Sequence, residues 1–192
     1  MVTWQWREED QLFLDREIVP FLPDKIFDAH AHLFRHDHFP NKAVGSGFAD
    51  TPNPQGLKEF YEYSEWLHPG SRTRGGLFFG LAFTGDRVAN NEYVAAEVNG
   101  AAGKNAFGQM IISPDMDPDY IAGEVGRLGF VGLKCYHTMA QIDSPTWHAP
   151  IETYLPEAQV QVADRLGLSI TLHMVRDRAL ADPVNQATIR HY

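Results

Sequence analysis

Residues 106–136, AFGQMIISPDMDPDYIAGEVGRLGFVGLKCY, decide the fold of this chain. The stretch from Ala106 to Ser113 is an apolar run of strand length. Asp117-Pro118 supplies an N-cap followed by a proline suited to the first helical position. Ile121, Val125 and Leu128 then recur at i, i+4 and i+7, which lines one face of a helix. Gly129 is a plausible helix stop, and Phe130 to Tyr136 is a second apolar run. Two apolar strands joined by a helix form a βαβ unit, whose strands lie parallel.

The same alternation extends outward in both directions. Toward the N-terminus, Arg87 to Val98 reads as a helix and Gly76 to Phe83 as a strand. Before them come a helix over Pro54 to His68, an irregular segment over 33–54, a strand over 25–30 and a helix over 7–19 stopped by Pro20 and Pro23. Toward the C-terminus, a helix runs from Pro156 to Leu166 with Gly167 as its stop. Leu168 to Met174 is a fifth strand, and Asp182-Pro183 opens a last helix. Five rounds of strand and helix predict an α/β fold with a parallel sheet.

Length and composition narrow the function classes. The chain has 192 residues, 44% hydrophobic and 21% charged, which suits one sizeable core and suggests one domain. The net charge is −9, so no general basic surface is available for nucleic acid or anionic membrane. Cys135 is the only cysteine, so no internal disulfide can form, which fits a reducing cytoplasm. No apolar stretch approaches the ~18 residues of a membrane span. The polar, acidic first ten residues do not resemble a signal peptide.

The chemistry concentrates at predicted strand ends, where parallel β/α folds bind their ligands. Asp28-Ala29-His30-Ala31-His32 closes the first strand. Alternation turns Asp28, His30 and His32 to one face, and two imidazoles on one face can chelate a divalent cation. Lys134 lies near the end of the fourth strand and His173 near the end of the fifth. Three histidines with an open position would make a catalytic site, at which zinc, iron or manganese can activate water. Each residue also has a purely structural reading: a hydrogen-bonded core histidine, or a lysine that snorkels or forms a salt bridge. His137 directly follows the fourth strand and can line a site. His36 and His38 are expected to be solvated in a polar loop, and His68, His148 and His191 receive no role. No dinucleotide or phosphate-loop glycine motif and no Gly-x-Ser-x-Gly elbow is present. Cys135 with His137 two residues on is not evidence of a thiol nucleophile.

Three segments together resemble the amidohydrolase superfamily, in particular the amidohydrolase family 2 branch related to aminocarboxymuconate semialdehyde decarboxylase. They are Lys25–Leu33 (KIFDAHAHL), Gly129–Lys134 (GFVGLK) and Ala163–His173 (ADRLGLSITLH). The resemblance implies a (β/α)₈ TIM-type barrel with a divalent metal at its C-terminal mouth, most often zinc, acting on a small-molecule substrate. It implies His30, His32 and His173 as metal ligands and Asp28 as a residue that orients a ligand. It implies Lys134 and His173 as catalytic residues. Lys134 is either carbamylated between two metals or in contact with a substrate carboxylate, and the branch favours the second.

The family also uses a strand-six histidine and a strand-eight aspartate that serves as general base. About five of eight β/α units are accounted for here, with residues 1–24 as an N-terminal helical extension and 33–74 as an insertion. The expectation is therefore an incomplete barrel, of a hydrolase or a decarboxylase, with self-association left open. One alternative is a metal-binding fragment without activity. Another is a doubly wound α/β binding domain with incidental histidines, which predicts a changed strand order. The aromatic segment from Phe48 to Trp66 can form a lid, or can simply pack a helix onto the sheet.

Overall fold

A computed structural model describes residues 7–40, 48–82, 85–101, 105–143 and 145–192. Five strands carry the fold: β1 Ile26–His32, β2 Thr73–Phe79, β3 Asn105–Ile111, β4 Gly132–Cys135 and β5 Ser169–Leu172. They hydrogen-bond in the order β1-β2-β3-β4-β5. A doubly wound sheet would interrupt that order at a switch point, so the sequential order excludes the doubly wound alternative. The β3–β4 and β4–β5 pairs are parallel, as the βαβ pattern requires.

The helices are α1 Glu8–Phe13, α2 Leu57–Leu67, α3 Arg87–Gly100, α4 Pro118–Leu128, α5 Glu157–Leu166 and α6 Pro183–His191. Their ends follow the sequence signals. Asp117 caps α4 by accepting the Asp119 and Tyr120 N–H groups at 2.8 and 3.2 Å. Asp182 caps α6 by accepting the Val184 N–H at 2.9 Å. Gly129 and Gly167 close α4 and α5 in the left-handed conformation, at φ 72° and 64°. The expected helix over 7–19 is not regular. After α1 it widens to a π-turn over Leu14–Ile18 and tightens to 3₁₀ over Val19–Phe21. Pro20 has no N–H to continue the α-helical ladder, so the chain changes pitch around it. The expected strand end at Phe83 lies outside the described residues, and β2 ends at Phe79.

The chain divides into two compact units, residues 1–78 with 84–107 and residues 79–83 with 108–192. In the first unit, Phe60 of α2 packs edge-on against Phe78 of β2, with ring centres 4.8 Å apart. This supports the packing role of the Phe48–Trp66 aromatics over the lid role. Glu97 of α3 accepts the Leu57 N–H at the start of α2, 2.8 Å away, which ties the two helices together. His36 and His38 are half-buried rather than solvated. His36 lies 4.4 Å from the Phe48 ring and hydrogen-bonds Thr51 Oγ1, and His38 meets the Tyr93 ring at 6.0 Å. Aromatic neighbours from outside the local sequence override the polar loop signal at these two positions.

In the second unit, the register aligns Gln109, Gly132 and Ser169, then Met110, Leu133 and Ile170, then Ile111, Lys134 and Thr171. Partners in register share a face. One face therefore carries Met110, Leu133, Ile170, Cys135 and Leu172, all apolar. The other carries Gln109, Ser169, Lys134 and Thr171, with Ile111 beside Lys134. Gln109 Nε2 donates to Ser169 Oγ across Gly132, at 3.0 Å, and a Cβ on Gly132 would collide with both groups. Among the described residues no helix is long and apolar enough to cross a membrane.

Candidate functional site

In the first unit, β1 runs through both histidines, so its alternation applies to them directly. His30 is exposed and His32 half-buried. Their ring centres lie 5.3 Å apart with planes at 66°. Zinc–nitrogen bonds of ~2.0–2.1 Å put each ring centre about 3 Å from the ion, and a tetrahedral angle then separates the centres by about 5 Å. The observed pair fits that requirement. Asp28 Oδ1 accepts the His30 N–H at 2.9 Å, so the carboxylate fixes the backbone from which the imidazole projects.

The polar face of the second unit holds the other candidates. Lys134 is 0% exposed, and its Nζ finds no hydrogen-bond acceptor among the described residues. It lies 4.8 Å from the Phe79 ring centre and 4.5 Å from that of Tyr136. The two rings give the ammonium a cation–π environment in place of an anion. Burial pushes the Lys134 ammonium down to about 8. Near neutral pH the side chain thus remains largely cationic.

Tyr136 extends the β4 alternation by two residues, and its ring lies 5.0 Å from that of His173. His173 follows β5 directly, and its N–H reaches Cys135 O at 3.4 Å, prolonging the ladder. Lys134 and His173, both expected at strand ends, are thus brought together through Tyr136. His137, which the sequence reading placed at the rim on position alone, is 8% exposed and its ring lies 4.9 Å from His173. Trp147 meets it from another side at 5.7 Å. His137 Nδ1 has no hydrogen-bond partner among the described residues, and burial pulls the imidazole below its ordinary titration range.

Sequence reasoning missed Phe79 and Tyr136. Both have apolar-run contexts, and only the contacts made in the folded chain show that they flank an amine. Cys135 is fully buried on the apolar face, and burial pushes its thiol up to about 12. That is the opposite of what a nucleophilic thiolate needs. Among the described residues no three His, Cys, Asp or Glu side chains stand close enough together to hold a metal ion; the candidate imidazoles occur as pairs. A cleft of ≈ 310 Å³ lined by Gln11, Leu14, Glu65, Trp66 and Pro69 contains none of the candidate residues. No protein-family model, curated protein or solved structure matches the chain.

Proposed function

We propose that this chain carries part of the active site of a metal-dependent amidohydrolase-type hydrolase, or decarboxylase, acting on a small carboxylate-bearing molecule. In this reading the five β/α units belong to a (β/α)₈-type barrel, which the sequential strand order supports. The observation that carries the proposal is the His30–His32 pair, two imidazoles at a strand end with the separation that one tetrahedral cation demands. His30 and His32 would hold a divalent cation, zinc before manganese or iron, with His173 the further ligand that the family resemblance implies, and the cation would supply Lewis acidity.

The chain's own residues supply the rest. Asp28 holds the His30 backbone in place. Lys134 offers a buried cation with no acceptor among the described residues, which suits the carboxylate of a substrate. Tyr136 and Phe79 exclude water from that ammonium. A carboxylate arriving there gains an interaction far stronger than at the surface, because solvent screening is absent.

The test is metal content after purification, for wild type and for His30→Ala/His32→Ala. The expected result is a divalent metal in the wild type and its loss in the double variant. Equal zinc, iron and manganese in both proteins would overturn the ligand assignment. Metal bound without turnover of any small ester, amide or carboxylic acid would favour a metal-binding protein without activity.

A further inference from the structure

The second unit holds a histidine pair of which the reading above uses only His173. His137 opens the 3₁₀ turn His137–Met139 directly after β4, and His173 leaves β5 beside it. Their ring centres are 4.9 Å apart with planes inclined by 35°. That separation matches the roughly 5 Å set by one cation shared between two imidazoles. His137 is more than nine-tenths buried, and its Nδ1 has no partner among the described residues. Buried imidazole nitrogens are ordinarily satisfied, so a nitrogen left over in this position asks for a ligand. Trp147 contacts the His137 ring edge-on at 5.7 Å, and Tyr136 contacts that of His173 at 5.0 Å, so the pair is held by packing. A ligand pair that is already positioned loses little conformational freedom when a metal arrives.

We propose that His137 and His173 form a divalent-cation site within the second unit, independent of His30 and His32, selective for zinc-like cations over magnesium and calcium. Neutral imidazoles favour zinc, cobalt and nickel, whereas magnesium and calcium take oxygen ligands. Two protein nitrogens leave two positions of a tetrahedral ion for water or a bound anion. Lys134 Nζ and the His173 ring both lie against the Tyr136 ring, 4.5 and 5.0 Å from its centre. The site shares His173 with the reading above and goes beyond it in its second ligand.

The experiment titrates zinc into the metal-free full chain and follows the histidine ring nitrogens by ¹⁵N NMR. Wild type and His30→Ala/His32→Ala are compared, with His137→Gln introduced into each. The ring nitrogens of His137 and His173 are expected to shift together, in wild type and in the double variant alike. His137→Gln is expected to weaken zinc binding at His173 about tenfold or more in both backgrounds. Magnesium in place of zinc is expected to move neither ring. A His173 shift without one from His137 in wild-type protein would overturn the proposal, and this readout needs no variant to fold. Loss of the paired shift in His30→Ala/His32→Ala would also overturn it, while leaving the strand-end reading intact. Conversely, unchanged metal content in that double variant, with the paired shift retained, sinks the strand-end reading alone.

Discussion

The two histidine pairs of this chain solve the same geometric problem in opposite surroundings. His30 and His32 end a strand with one ring exposed and the other half-buried. His137 is buried between Trp147 and His173, and Lys134 of the same unit is buried completely. An imidazole pair that solvent still reaches, one ring exposed and one half-buried, costs the fold little. A buried ammonium and a buried unpaired imidazole nitrogen cost stability at every moment the protein is folded. Such cost clusters at functional sites, and the second unit is where substitutions should change stability most.

The largest effect is expected at Lys134. Its pKa falls from 10.5 in the unfolded chain to about 8 on folding. The unfolded state therefore binds more protons between those values, and stability rises with pH across that window. The penalty at neutral pH is about 3 kcal/mol. Lys134→Met should thus be more stable than wild type near neutral pH by roughly that amount, with the difference shrinking as pH climbs toward 10. Burial pushes the Cys135 thiol up, so near neutral pH it is protonated in both proteins and does not enter the difference there. Urea unfolding of both proteins at several pH values measures this; a pH-independent difference would show that the ammonium already has a countercharge.

Gly132→Ala comes next. The new Cβ must displace the Gln109–Ser169 hydrogen bond or push the strands apart, at a cost of about 2 kcal/mol. A melting temperature unchanged within error would mean that the bridge is absent in solution. His137→Ala removes a ring packed against two others and should cost about 1–2 kcal/mol by chemical denaturation. His30→Ala should change stability by less than about 0.5 kcal/mol, since the ring is exposed. If His30→Ala proved as damaging as His137→Ala, the contrast between the two regions would collapse.

The fold was legible to the extent that its signals are local. Asp117, Gly129, Gly167 and Asp182 cap or stop their helices as expected, because capping is chemistry between residues a few positions apart. The β/α alternation was legible for the same reason, since each strand announces itself as an apolar run. The strand order was not local, and only the pairing register resolved it. The candidate residues divide the same way. His30 and His32 lie two apart, so alternation alone put them on one face. Phe79 reaches Lys134 from β2, fifty-five positions earlier, and no pattern within a strand predicts that meeting. Likewise His36 and His38 sit in a sequence that reads as solvent-facing, and distant aromatic rings cover them.

Gly132 has a further consequence. Three adjacent strands are stitched at one level by a single side-chain bridge, which closes only where the middle strand offers nothing but backbone. A slip of β4 by one residue would put Leu133 beneath that bridge and break it. The same slip would turn Lys134 to the opposite side of the sheet. The glycine thus acts as an alignment key: the position that cannot carry a side chain determines which way the lysine two residues later must look.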